Sequence, residues 1–183
     1  MNLPNYITLS RIILVPFFIG LMIYGHFRSA AAVFLAACVT DALDGLIARL
    51  RNQKTELGAF LDPIADKLLI VSAFVTLALR GILPAWLVMT VVSRDIILVI
   101  GSIDLFYTEH EFKARPSIIG KATTVLQFIV VTLSLVLKIY GIRTPLMMIL
   151  YWTTAGFTVA SGIQYIARGT KIIGRDIADQ DIK

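Results

Sequence analysis

AAAVFLAACVTDALDGLIARL at residues 30–50 and GAFLDPIADKLLIVSAFVTLAL at residues 58–79 are each apolar over the length of a bilayer crossing, and each carries two aspartates. A membrane helix needs ~20 residues to cross the hydrocarbon core, so both stretches read as spans. An aspartate at the centre of such a helix costs roughly 2.5 to 3.5 kcal/mol on insertion scales, and an acid kept there is a functional candidate. Asp41 and Asp44 fall late in the first stretch, Asp62 and Asp66 early in the second. If the two helices run antiparallel, all four carboxylates come to the same end of the molecule.

Outward from this pair, four more apolar runs stand near residues 10–27, 83–106, 117–139 and 145–167. Backbone polar groups in hydrocarbon are satisfied within a helix, so all six runs are expected to be helical. Short connections punctuated by Gly81, Pro84, Pro116, Gly141 and Pro145 make neighbouring helices antiparallel. The expected architecture is an all-α integral membrane protein, six transmembrane helices in one bundle, forming a single domain over residues 1–183. Composition agrees: 57% of residues are hydrophobic, 16% are charged and the mean hydropathy is +0.82, too apolar for an ordinary soluble domain.

Six spans put both termini on one side, with the loop of Arg49, Arg51 and Lys54 and the loop of Lys113 and Arg115. The tail adds Arg168, Lys171, Arg175 and Lys183, whereas the opposite loops hold Arg28, Arg80, Lys138 and Arg143. The richer side is cytoplasmic by the positive-inside rule. The expected location is the inner (plasma) membrane of a bacterium, with the four aspartates and both termini facing the cytoplasm. The formal charge of +5, placed in loops beside spans, fits an anionic lipid surface better than a nucleic acid, so no nucleic-acid partner is expected. Met1 to Arg11 lacks the basic region and the cleavage site of a removable signal, so the first span is expected to remain. That segment and Ile172 to Lys183 read as interfacial pieces, although a frayed end explains the tail equally well. Cys38 stands alone and is assigned no function.

Spacing of three puts Asp41 and Asp44 on one helical face, and spacing of four does the same for Asp62 and Asp66. Gly45, Ala48 and Gly58 extend those faces with small residues that leave room for a ligand. Four uncompensated carboxylates repel one another, and hard divalent cations with oxygen ligands are their natural partners. Arg49 offers a planar fork to a diphosphate. Single ion pairs, Asp44 with Arg49 or Asp66 with Lys67, would explain any one acid but not four together. A cation or proton transporter also keeps intramembrane acids, yet that class accounts for neither Arg49 nor the three small residues.

Asp41-x2-Asp44-Gly45-x2-Ala48-Arg49-x8-Gly58-x3-Asp62-x3-Asp66 resembles, at all eight positions, the signature of the CDP-alcohol phosphatidyltransferases. The opening Asn2-Leu3-Pro4-Asn5-Tyr6-Ile7-Thr8-Leu9-Ser10-Arg11 is similar to that of members making anionic phospholipids. The resemblance implies a six-helix membrane fold, two divalent cations (Mg2+ or Mn2+), CDP-diacylglycerol as donor and CMP as product. Position by position, it makes Asp41, Asp44 and Asp62 metal ligands, and Asp66 both a ligand and the catalytic general base. Gly45, Ala48, Arg49 and Gly58 would contact the CDP portion. No serine, cysteine or histidine adjoins the motif with a base and an orienting partner, which favours direct transfer over a covalent intermediate. His26 and His110 read as loop residues.

The acceptor is read from the fourth and fifth spans. Arg94 lies inside the fourth and Lys121 just inside the fifth, with Arg115 nearby, and the three would form an anion pocket. Equally, Arg94 would pair with Asp104 or a motif aspartate while Arg115 and Lys121 snorkel to headgroups. Family members that load glycerol 3-phosphate usually carry further cations where this chain has Ser102 and Thr123. A phosphate monoester bears close to two charges and asks for more donors than a phosphodiester. Ser93 to Val99 and Gly120 to Gln127 are similar to the matching stretches of eukaryotic-type cardiolipin synthases, whose acceptor is phosphatidylglycerol. Phosphatidylglycerol is therefore the favoured acceptor, with glycerol 3-phosphate, as in the phosphatidylglycerophosphate synthases, the alternative. Gly156, Ala160, Ser161 and Gly162 mark either a homodimer contact or ordinary packing in the sixth span.

Overall fold

The computed structural model describes residues 3–51, 56–107 and 118–180, with side chains described over 12–40, 67–100 and 118–167. Six helices follow one another: α1 Leu3–Ile23, α2 Phe27–Arg51, α3 Glu56–Leu79, α4 Ala85–Tyr107, α5 Ile118–Tyr140 and α6 Leu146–Gln180. Among the described residues there is no strand. Each helix covers one of the six apolar runs. The segments read as interfacial pieces are helical over their described residues and continuous with their neighbours, since α1 starts at Leu3 and α6 runs on to Gln180. Nothing between Ala167 and Gln180 breaks a helix as a proline would.

Two helical stretches, Ile118–Tyr140 and Leu146–Ala167, are long and apolar enough to cross a membrane by length and composition. The other apolar stretches among the described residues are shorter: Ile12–Ile23, Phe27–Thr40 and Lys67–Leu79.

Helix α5 shows which medium its surface meets. Val125, Ile129, Leu133 and Val136 are exposed, while Thr123, Gln127 and Ser134 are buried beside Val130, Val131 and Leu135. An apolar outside with polar groups inside inverts the order of a water-soluble helix and suits a lipid surround. Helix α3 packs against α1, α4 and α5, and α6 packs against α4 and α5. Phe18, Phe34 and Phe128 form a tilted aromatic chain through α1, α2 and α5, with centroids 5.8 and 5.9 Å apart. Trp86 stacks on Trp152 at 4.7 Å, which ties α4 to α6.

The three connections at the end away from the aspartates use one device. Gly25, Gly81 and Gly141 have φ of 79°, 65° and 65°, each just past a helix. His26 donates to the Leu21 carbonyl at 2.8 Å, Ile82 to Leu77 at 2.9 Å and Ile142 to Leu137 at 2.9 Å. These are the six-to-one bonds of a Schellman motif, which occupies helix carbonyls that would otherwise lack partners. At Gly81 no atom lies within 4 Å of where a Cβ would stand, so only the backbone resists a side chain there. Gly81→Ala is expected to lower stability by about 1–2 kcal/mol, the left-handed penalty. Gly20→Ala, equally open but within α1, should gain about 0.5–1 kcal/mol. Thermal unfolding of the two variants in one detergent checks the opposite signs.

Candidate functional site

The eight motif positions lie on α2 and α3. Asp41, Asp44, Gly45, Ala48 and Arg49 belong to α2, and Gly58, Asp62 and Asp66 to α3. Both helices are unbroken through these positions, so the spacings of three and four hold as helical registers. Their side chains lie outside the described residues, as do Arg115 and the side chain of Ser102. The donor set is all carboxylate, which fits a hard divalent cation and does not fit a thiolate or imidazole metal.

The described part of the site begins at the residue after Asp66. Lys67 Nζ donates to Asp95 Oδ1 at 2.9 Å, joining α3 to α4. Arg94 Nη1 donates to the same oxygen at 2.7 Å, and Arg94 Nη2 donates to Ser161 Oγ of α6 at 2.8 Å. Turn geometry explains the first bond: Lys67 and Asp95 stand equally far in sequence from Gly81, the turn of the α3–α4 hairpin, and so meet across it. Gly162 lies beside Arg94, where a Cβ would meet Arg94 Cγ at 3.7 Å, an ordinary contact. Burial is graded along the network. The Asp95 side chain is 1% exposed, that of Arg94 6% and that of Lys67 20%. Arg94 Nε and Asp95 Oδ2 are buried and make no hydrogen bond.

As one of the sequence readings has it, Arg94 pairs with an acid, and among the described residues that acid is its neighbour Asp95. Lys67 also reaches Asp95, across the hairpin. Asp95 carries no role in the sequence reading, although a fifth acid inside a span and its register about Gly81 are visible there. Lys121 is exposed near the start of α5, and no described contact joins it to Arg94.

Thr123 is fully buried, its hydroxyl within hydrogen-bond reach of the Ile119 carbonyl at 2.8 Å and the Phe157 carbonyl of α6 at 3.1 Å. The position is a helix–helix contact, so a lysine there would meet α6 and not an open pocket. One turn on, Gln127 is fully buried with neither end of its amide paired. Ser161 and Gly162 pack against Arg94, whereas Gly156 and Ala160 face outward.

Comparison with known proteins yields a family. Residues 1–160 match the family described as CDP-alcohol phosphatidyltransferase. A CDP-diacylglycerol--glycerol-3-phosphate 3-phosphatidyltransferase of Bacillus subtilis is 34% identical over 184 residues, covering 91% of this chain and 94% of that protein. Human cardiolipin synthase (CMP-forming) is 31% identical over 192 residues, covering 94% of this chain and 63% of that one.

Removing the carboxylate from the network leaves two cations in a dry interior. Asp95→Ala is expected to cost about 3–5 kcal/mol, the range for breaking a buried ion pair from one side. Ser161→Ala, which strands only one guanidinium donor, should cost about 1–3 kcal/mol. Thermal unfolding in detergent measures both, and equal losses would contradict the assigned hierarchy.

Proposed function

We propose, for a chain that belongs to the CDP-alcohol phosphatidyltransferase family, that it transfers the phosphatidyl group of CDP-diacylglycerol to phosphatidylglycerol, forming cardiolipin and releasing CMP. The supporting observation is the motif itself, eight of eight positions on two unbroken helices, in a chain of phospholipid-synthesising kind. In this reading Asp41, Asp44, Asp62 and Asp66 hold two divalent cations, Mg2+ or Mn2+. When bound, the cations neutralise the diphosphate and the charge on departing CMP. Gly45, Ala48 and Gly58 leave space for the cytidine diphosphate, and Arg49 offers its fork to the phosphates. Asp66 takes the proton of the acceptor hydroxyl as its oxygen bonds to the lipid-bearing phosphorus and the bond from phosphorus to CMP oxygen breaks.

Arg94, Arg115 and Lys121 supply positive charge on the acceptor side, Arg94 from within the wall. Within the wall, Arg94 and Lys67 against Asp95 leave one positive charge. Relatives with each acceptor are of similar likeness, and phosphatidylglycerol is favoured by the likeness of Ser93 to Val99 and Gly120 to Gln127 to cardiolipin synthases and by Ser102 standing where glycerol 3-phosphate enzymes carry a cation. Glycerol 3-phosphate remains the second reading. We further propose one domain of six membrane-crossing helices in a bacterial inner membrane, the aspartate end and both termini in the cytoplasm. Gly156 and Ala160, small and outward-facing four residues apart on α6, are the place for a homodimer contact.

Purified protein given CDP-diacylglycerol and each acceptor in turn should release CMP and make cardiolipin from phosphatidylglycerol at the higher kcat/KM. Efficient use of glycerol 3-phosphate alone would reverse the acceptor assignment, and ion flux without CMP would indicate a transporter. Chelation should abolish turnover and lower the melting temperature, because the four carboxylates then repel unopposed. Asp66→Asn should also abolish transfer in a folded protein, the amide being unable to take the proton; near-normal turnover would remove Asp66 from the mechanism.

A further inference from the structure

Among the described residues, the network contains one cation more than its carboxylate needs. Asp95 receives Arg94 and Lys67 on the same oxygen, so these three charges sum to one positive charge, with Asp95 and Arg94 buried and Lys67 partly so. Such a surplus is costly unless an anion answers it. If the four motif aspartates hold two divalent cations, their charges cancel among themselves and leave the surplus for something else.

The geometry says which cation meets that anion. Arg94 is held at both ends, by Asp95 through Nη1 and by Ser161 through Nη2, and cannot turn to a ligand without giving up both. It is also the more buried of the two, 6% against 20% for the Lys67 side chain. An ammonium has three protons to donate, and the bond to Asp95 uses one. Lys67 also follows Asp66 directly on α3, about 1.5 Å along the axis and about 100° around it. In either glycerol-bearing acceptor the reacting hydroxyl and the phosphate share one three-carbon unit. With the hydroxyl at Asp66, that unit together with the long Lys67 side chain spans the turn between the two positions.

We propose that Lys67 binds the phosphate of the acceptor, and that Asp95, itself held by Arg94 and Ser161, is a positioning residue that aims the Lys67 ammonium. The proposal rests on the phosphatidyl-transfer reading but not on which of the two glycerol-bearing acceptors is used. Lys67 separates from a purely structural residue by acting on one substrate and not the other.

The test uses the full chain in detergent with magnesium, CDP-diacylglycerol and whichever acceptor the wild type uses. Lys67→Met should raise the acceptor KM about tenfold or more, the value of one charge-assisted bond. It should leave the KM for CDP-diacylglycerol within about twofold. Calorimetric titration with the same acceptor, as dioctanoyl phosphatidylglycerol or glycerol 3-phosphate, should show the same loss without turnover. Lys67→Arg should restore most of the binding. Asp95→Asn should raise the acceptor KM in the wild-type background yet add nothing to Lys67→Met, since it works through Lys67. An unchanged acceptor KM and titration in Lys67→Met overturns the proposal, as does an equal rise for both substrates or an additive double variant. If the methionine variant does not fold, Lys67→Gln keeps a donor for Asp95 without the charge and is read in the same way. Failure of the wild type to release CMP with any acceptor would sink the functional reading instead, and the titration would still report on Lys67.

Discussion

One carboxylate oxygen, Asp95 Oδ1, ties α3 to α4 through Lys67 and, by way of Arg94 and Ser161, α4 to α6. In water such an arrangement would contribute little. In a dry interior the same bonds are strong because no solvent competes, and they are obligatory because a stranded charge there is so unfavourable. The three helices are thus held in register by a demand for charge compensation. Apolar packing alone would let them slide, since lipid is as apolar as the side chains between them. The network starts one residue after Asp66, so whatever positions α3 for the motif also positions it for Asp95.

The two ends of the molecule use different physics. Away from the aspartates, Gly25, Gly81 and Gly141 close the hairpins with backbone bonds alone, and Phe27 lies within 5.7 Å of Arg80 Cζ and 5.5 Å of Lys138 Nζ. Toward the motif the chain concentrates acids, cations and small residues on α2 and α3.

Helix number and boundaries were legible in the sequence because apolar length is a strong one-dimensional signal, and the six runs and the six helices agree to within a few residues except at the outer ends of α1 and α6. The motif was legible because its residue types and spacings are themselves local. Partner choice was not. Arg94 offers several acids by sequence, and its described partners are the adjacent Asp95 and, through the approach of α6, Ser161. Lys67 reads locally as half of an ion pair with Asp66, and the hairpin turn at Gly81 also brings it to Asp95. A register count about Gly81 would have found it.

Thr123 shows how a charge count by position goes wrong. A missing lysine at 123 was evidence for a weakly charged acceptor only if that position lines a pocket. Instead the hydroxyl serves the α5–α6 contact through the Phe157 carbonyl, with no exposed surface. A cation there would first have to displace α6, so its absence says more about packing than about the acceptor. A count of this kind has meaning only over charges that share one environment, as Arg94 and Lys67 do with Asp95.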